Sequence, residues 1–352
     1  MHSKLVKIIG LMSGTSLDGL DIVYVEFDVE NYENFKILYS ETTSYTNKWK
    51  GKLASAIGFS KNELQQIDIE YGHLLAVRVA DFIKKNAIKE IDFIASHGHT
   101  ILHQPDKGVT LQIGNGQVLS SKTNCKVICD FRTQDVLFGG QGAPLVPIGD
   151  EMLFPEFDAC LNLGGFANVS FKENDKRIAF DVCPVNIVLN YYVKNLGLEY
   201  DDAGFIASTG TINKQLLTDL NQLEFYQKKH PKSLGLEWVK EEIFPLIDSS
   251  KFDVKDVLKT VVEHVAFQVA KSTKGQRKIL VTGGGVFNTF LMDRIRFYSK
   301  SKIVIPTSKI IDYKEALIFA FLGLLRSVNQ VNCLSSVTGA KEDHSSGVLF
   351  SP

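Results

Sequence analysis

Leu5-Val6-Lys7-Ile8-Ile9-Gly10-Leu11 runs into Met12-Ser13-Gly14-Thr15-Ser16-Leu17-Asp18-Gly19, and after Leu20-Asp21 a second apolar run follows, Ile22-Val23-Tyr24-Val25-Glu26-Phe27. Two apolar runs of strand length around a polar turn read as strand, glycine-bracketed turn, strand. Glycine permits tight turning and close approach of a ligand, and Ser13, Thr15 and Ser16 set hydroxyl donors beside the exposed amides. Such a turn suits phosphate oxygens. Asp18 adds a carboxylate able to hold a hydrated Mg2+, the counter-charge that a nucleotide brings with it. The same residues also make an ordinary hairpin, in which Ser, Asp and Gly are only turn-formers. The stretch by itself leaves both readings open.

Outside this stretch, composition sets the bounds. The 352 residues are enough for two domains, and 44% hydrophobic with 22% charged content describes a globular chain. Basic and acidic residues balance, 39 against 40, so neither nucleic acid nor a membrane surface has global electrostatic support, and any anion must be held locally. No apolar run approaches the roughly 20 residues that span a bilayer. The opening Met1-His2-Ser3-Lys4 leads into a run interrupted by Lys7 and Gly10, unlike a signal-peptide core, so the cytoplasm is the expected compartment. Cys125, Cys129, Cys160, Cys183 and Cys333 are odd in number and scattered, which argues for reduced thiols.

The two halves repeat one order of elements. Strands near 5–11, 21–28 and 36–42 precede a helix over 61–86, a strand at 91–95, another at 109–113, a helix near 115–122 and a strand at 125–129. Strands at 158–163, 166–172 and 176–181 then lead into a helix from Pro184, helices around 211–220, 235–246 and 253–272, strands at 278–282 and 302–305, and a last helix over 313–327. Glycine turns recur at strand ends, at Gly164-Gly165 and at Gly283-Gly284-Gly285. One such turn is common punctuation; three in two similar halves point to a nucleotide held at strand ends, with two lobes facing each other across a cleft.

Several side chains are placed to carry chemistry. Asp181 ends a strand directly before the helix, where it can take a proton from an attacking oxygen or merely cap the helix. His97, His99 and His103 form H-x-H-x3-H in a polar turn after a strand; loop histidines of this kind more often hydrogen-bond than bind metal. Arg132 can fork onto a carboxylate or phosphate, or pair with Asp130 or Asp135. Gly139-Gly140-Gln141-Gly142-Ala143-Pro144 reads as a loop between lobes or a hinge, and Lys232 as an anion-reaching or solvated lysine.

Together these runs resemble the anhydro-N-acetylmuramic acid kinase family, within the actin, sugar kinase and heat-shock ATPase superfamily. The resemblance is carried by Gly10 to Asp21 (GLMSGTSLDGLD), Ser96 to His103 (SHGHTILH), Leu111 to Gly114 (LQIG), Asp130 to Val136 (DFRTQDV) and Gly139 to Pro147 (GGQGAPLVP). It continues through Asn162 to Val169 (NLGGFANV), Pro231 to Glu237 (PKSLGLE), Thr282 to Asn288 (TGGGVFN) and Glu315-Ala316.

The resemblance implies an α/β fold of two ribonuclease-H-like lobes, each a duplicated mixed sheet with flanking helices, around a central nucleotide cleft. Lobe one would be 1–150, with the tail 329–352 able to pack on it, and lobe two 151–328. It implies an ATP loop over Gly14, Thr15, Ser16, Leu17, Asp18, Gly19, Leu20 and Asp21, further nucleotide contacts at Gly164, Gly165, Gly283, Gly284, Gly285 and Asn288, and Asp181 as the base. His97, Arg132 and Asn186 become candidates for the sugar, and Asp18 for Mg2+ through water. The family opens a 1,6-anhydromuramic sugar with water and phosphorylates its O6 from ATP, in cytoplasmic cell-wall recycling, as a homodimer. Two departures stand out: Asp181-Val182-Cys183-Pro184-Val185-Asn186 replaces the usual D-T-G-P-x-N, and His99 replaces a usual glutamine. Rival readings are a conventional sugar kinase on the same fold, a non-catalytic ATP switch, and a metal hydrolase built on the three histidines.

Overall fold

Each half of the chain opens with a three-stranded meander. β1 (Leu5–Ser13), β2 (Gly19–Asp28) and β3 (Phe35–Ser44) pair antiparallel, Met12 opposite Asp21 and Gly19 opposite Ser44. The helix Lys61–Lys85 follows, opened by a capping box in which Ser60 and Glu63 satisfy each other's backbone amides. Its crossover delivers β4 (Phe93–Gln104) parallel to β1, with Ser13 opposite His99. β5 (Val109–Ile113) folds back on β4, and β6 (Val127–Cys129) runs parallel to β4 on its other side. These are features of a computed structural model that describes residues 4–249 and 252–352; Met1, His2 and Ser3 of the opening stretch lie outside the described residues.

The second half repeats the plan. β7 (Ala159–Leu163), β8 (Phe166–Glu173) and β9 (Lys176–Pro184) form the meander, β10 (Lys278–Thr282) pairs parallel with β7, and β11 (Lys302–Val304) with β10. β12 (Val348–Phe350) returns to pair antiparallel with β6. The sheets order as β12-β6-β4-β1-β2-β3, with β5 beside β4, and as β11-β10-β7-β8-β9. Without β5 and β12 the two orders coincide, so the chain carries one α/β unit twice.

The chain divides into two compact units, Met1–Pro155 with Tyr313–Pro352, and Glu156–Asp312. The return to the first unit thus comes at Tyr313, not after 328, and the first boundary falls at Pro155 rather than 150. The helix Ser308–Ser327 accounts for the shift, because its small residues lie directly on β1 and β4. A Cβ on Gly10 would stand 2.3 Å from the Ala316 carbonyl oxygen and 2.9 Å from the Ala320 Cβ, and one on Gly323 would stand 2.7 Å from the Ala95 Cβ. Lys314 adds a buried ion pair with Asp150 at 3.0 Å.

Three local expectations change. Ser96–Thr100 is not a polar turn: β4 continues through it to Gln104, because pairing with β5 satisfies its backbone and His97 and His99 find partners inside. Pro184 closes β9 instead of opening the helix, which starts at Asn186. The Gly139–Pro144 loop lies within the first unit and is pinned there, with Gln141 N donating to Thr338 O at 2.8 Å and Gly142 N to the Asp135 carboxylate at 2.7 Å. None of the five cysteines is joined in a disulfide. Among the described residues, no helix is long and apolar enough to cross a membrane.

Since a methyl at Gly10 would enter helix backbone that cannot swing aside, Gly10→Ala is expected to destabilise the fold by about 1–3 kcal/mol, the usual range for overpacking. Urea unfolding checks this; an unchanged midpoint would mean that the helix Ser308–Ser327 can slide off β1.

Candidate functional site

Parallel pairing decides where the candidate residues gather. β1, β4 and β6 end on one side of the first sheet, so Ser13-Gly14, His97–His99 and Asp130–Arg132 emerge together. β7, β9 and β10 do the same in the second, bringing Gly164-Gly165, Asp181 and Gly283–Gly285 to one sheet end. Open α/β sheets present ligand sites at such ends.

In the first unit the turn after β1 closes with Leu17 N donating to Gly14 O at 3.4 Å. Its left-handed residue is Leu17 (φ 61°), whereas neither Gly14 nor Gly19 has positive φ. Tight turning therefore falls on a leucine, a conformation costing of order 1 kcal/mol that tends to persist at functional turns. Gly19 is required for another reason, since a Cβ there would stand 2.7 Å from the Thr43 carbonyl oxygen across the β2–β3 ladder. At Gly14 the nearest atom to a Cβ is Ser16 Oγ at 3.6 Å, and Thr15, Ser16 and Asp18 are exposed, so the turn has open space for an anion or a hydrated cation. Leu20 is buried in the core, and Asp21 accepts from Thr42 Oγ1 at 2.6 Å.

Ser13 is not the exposed donor expected of it. It is buried, its Oγ 2.7 Å from the Tyr45 hydroxyl and 2.8 Å from His99 Nδ1, and Tyr45 in turn meets the Tyr71 hydroxyl at 2.5 Å. This chain of hydroxyls ties β1, β4 and the helix Lys61–Lys85 beneath the turn. Sequence reasoning missed Tyr45 and Tyr71; the one available signal was a tyrosine on the apolar stripe of that helix.

His97 and Arg132 are brought together. His97 Nδ1 faces Gly98 O at 2.9 Å and so carries the proton, leaving Nε2 to accept from Arg132 Nε at 3.1 Å and Nη2 at 2.9 Å. Burial, and secondarily the Arg132 charge, hold His97 well below the ordinary histidine range. Arg132 Nη1 donates to Gly142 O at 2.7 Å, and the guanidinium lies 5.8 Å from the Phe319 ring centre. Arg132 thus pairs with neither Asp130 nor Asp135. His103 Nδ1 meets Thr110 Oγ1 at 3.2 Å, so the three histidines of the H-x-H-x3-H run have separate hydrogen bonds. His97 also lines a cavity of about 200 Å³ with Asp68, Gln112, Asn115 and Asp130.

In the second unit Asp181 sits beside a bulge. Asn168 opposes Asp181 and Ala167 opposes Cys183, so Val182 is the extra residue of β9, a distortion that re-aims neighbouring side chains. The Asp181 carboxylate accepts from Leu234 N at 2.8 Å and its amide donates to Lys232 O at 3.1 Å. It does not cap the following helix, whose N-cap residue is Val185. Burial raises the Asp181 pKa, partly offset by the Leu234 amide. Val182 and Cys183 are both buried in the core, so the replaced positions point their side chains inward. The partly buried Lys232 ammonium donates to Phe225 O at 3.3 Å and lies 4.4 Å from the Phe225 ring centre.

The glycine turns adjoin it. Val185 N donates to Gly165 O at 2.8 Å and Asn186 N to Gly164 O at 3.3 Å, which fixes the turn against the start of the helix and seats Asn186 beside it. Gly283 (φ 86°) presses on the same turn, where a Cβ would stand 2.5 Å from Asn162 Oδ1 and 2.7 Å from Leu163 O. No atom lies within 4 Å of where a Gly284 Cβ would be, and only the Ile187 Cβ at 3.9 Å is near that of Gly165. These two glycines face open space that a side chain would fill, as a phosphate cradle requires. Gly285 packs on Leu163 instead, and Asn288 Oδ1 caps the helix Thr289–Tyr298 by accepting from Leu291 N at 2.9 Å.

The profile of the anhydro-N-acetylmuramic acid kinase family matches residues 6–352. The anhydro-N-acetylmuramic acid kinase of Haemophilus influenzae is 35% identical, with 97% of each chain covered. That of Mannheimia succiniciproducens is 34% identical, covering 97% of this chain and 98% of its own. Among solved structures, (R)-2-hydroxyglutaryl-CoA dehydratase component A of Acidaminococcus fermentans aligns at TM-score 0.48 and 12% identity, over 90% of this chain and 96% of that one.

Burial lowers the pKa of His99 to about 4, against roughly 6.5 when exposed. A base depressed by folding takes up its proton on unfolding. Its contribution is therefore complete above pH 6.5 and is lost as the pH falls from there through 4. At about 1.4 kcal/mol per pH unit, the gap is worth at most roughly 3 kcal/mol. His99→Gln, a hydrogen-bonding side chain that does not titrate, is expected to reduce the acid loss of stability by up to that amount in urea melts across this pH range. Equal acid sensitivity in both proteins would assign the effect elsewhere.

Proposed function

The chain belongs to the anhydro-N-acetylmuramic acid kinase family, and from that premise we propose that it opens 1,6-anhydro-N-acetylmuramic acid with water and transfers the γ-phosphoryl group of ATP to the freed O6. It is a kinase; the observation that carries the site assignment is Asp181, a carboxylate held by the Leu234 amide at the sheet end that also bears the Gly164-Gly165 and Gly283–Gly285 turns.

Asp181 takes a proton from the water whose oxygen attacks C1. The C1–O6 bond breaks as the C1–OH bond forms, and O6 then attacks the γ-phosphorus, releasing ADP. A base with a raised pKa suits the first step, since it holds the proton more firmly than an ordinary aspartate. In the first unit the Gly14–Gly19 turn, and in the second the turns at Gly165 and Gly284, are the candidates for phosphate oxygens, and Asp18 would hold Mg2+ through water to neutralise their charge. Catalysis of this kind rests on positioning and charge stabilisation. His97 and Arg132 are the first unit's candidates for sugar polar groups, and Asn186 the second's. The cytoplasm as compartment, cell-wall recycling as context and a homodimer as assembly belong to the same reading and rest on the family resemblance.

Purified protein is expected to transfer phosphate from ATP to the anhydro sugar and to place labelled solvent oxygen at C1. Phosphorylation of ordinary N-acetylhexosamines without that label would make it a conventional sugar kinase, with Asp181 acting on a hydroxyl. Asp181→Asn is expected to lower turnover by about 10²–10⁴-fold, the usual worth of a general base, with ATP binding kept. The acid limb of kcat/KM should fall above the ordinary aspartate value near 3.9, because burial raises Asp181. Undiminished turnover in the variant would place the base elsewhere.

A further inference from the structure

Asp135, Cys333 and His344 meet inside the first unit, far from Asp181 in the chain and unused by the chemistry above. Their ligand-type atoms all lie within 4.8 Å of one another, and the three residues are 0%, 1% and 6% exposed. Backbone pairing builds part of this arrangement. Cys333 and His344 form an antiparallel bridge, with Cys333 N donating to His344 O at 3.0 Å and the reverse bond at 3.2 Å, which sets their side chains beside each other. Asp135 comes from the short helix Thr133–Leu137 that follows Arg132.

The polar atoms are arranged for an occupant. His344 Nδ1 faces the Glu342 carbonyl at 3.0 Å and so carries the proton, leaving a lone pair on Nε2. That Nε2 is enclosed yet has no hydrogen-bond partner. Its distance to Asp135 Oδ1 is 3.6 Å, too long for a hydrogen bond. It is close to the roughly 3.3 Å that separates two ligands on a tetrahedral ion with bonds near 2 Å. The carboxylate is oriented by two donors, Thr338 Oγ1 on Oδ1 and Gly142 N on Oδ2, each at 2.7 Å. Cys333 Sγ has only a long contact, 4.0 Å, to the Phe131 carbonyl. No lysine or arginine reaches ion-pair distance of Asp135 among the described residues; Arg132 acts on it only at longer range.

We propose that Asp135, Cys333 and His344 bind one divalent ion of the zinc class through carboxylate, thiolate and imidazole Nε2, with water in the fourth position. Thiolate and imidazole together select zinc over magnesium, and the two anionic ligands balance the ion's charge. Cys333 releases its proton to solvent on binding. The ion would tie the C-terminal segment to the helix that carries Asp135, and so help fix the adjacent Arg132. It is separate from the Mg2+ that Asp18 would hold and from the H-x-H-x3-H histidines.

The test is metal titration of the full chain after chelator treatment. Cobalt(II) alone is expected to bind at one equivalent with thiolate-to-metal charge-transfer absorption, and zinc to displace it. Cys333→Ser should lose that absorption, His344→Gln should bind zinc at least tenfold more weakly, and His103→Gln should match the parent. Should the first two variants fail to fold, the parent titration decides alone. No stoichiometric uptake would show that the three residues hold no ion, and an unchanged spectrum in Cys333→Ser would place the metal elsewhere; either result overturns the proposal.

Discussion

Parallel hydrogen bonding of β1 to β4, and of β7 to β10, is the constraint on which the gathering of the strand-end turns depends. A parallel pair cannot be closed by a tight turn, so the chain must cross over and return in the same direction. That return sets consecutive strand ends side by side. In the first unit it places Ser13 opposite His99, and in the second Thr282 opposite Asn162. The close approach of Gly283 and Gly285 to Leu163 follows from the second pairing, because the strands hand over to their turns at the same level. The glycine turns are thus one feature made by two strands.

The first unit puts a comparable demand on its buried side. β1 is covered by the helix Ser308–Ser327 at backbone contact over Gly10, and by the hydroxyl chain of Ser13, Tyr45 and Tyr71 under the turn. A leucine in the left-handed region needs surrounding structure to keep it there. The buried bonds at Ser13 provide it. Asp181 is held by the same logic: the Val182 bulge sets its direction and the Leu234 amide fixes the carboxylate.

What was legible in the sequence follows from what each signal encodes. Strand alternation and glycine punctuation mark local geometry, so the two meanders, the three glycine turns and the strand placing of Asp181 could be read directly. Ser96–Thr100 could not, because its polar residues look like a turn until β5 and β1 are beside them to take their hydrogen bonds. The boundary at Tyr313 was equally hidden, since helical periodicity says which face is apolar and not which sheet it covers. Arg132 shows the same limit. Two acids lie near it in sequence, yet it donates to His97, a partner 35 positions away. Asn288 was readable as part of a motif, while its Oδ1 cap on the next helix became visible only in the structure.

The replaced residues after Asp181 have a physical account. Loss of a threonine hydroxyl and gain of a cysteine side chain would disturb a site if those positions faced it. Both Val182 and Cys183 instead pack in the second unit's core, where an apolar bulge residue and a small apolar thiol bury surface without an unsatisfied polar group. Burial raises the Cys183 thiol far above its ordinary range, so it is neutral and brings no charge beside Asp181. A bulge tolerates such exchange because its extra residue is outside the ladder register and is judged by packing alone. The exchanged residues therefore bear on the packing beside Asp181, whose carboxylate is held by the Leu234 amide.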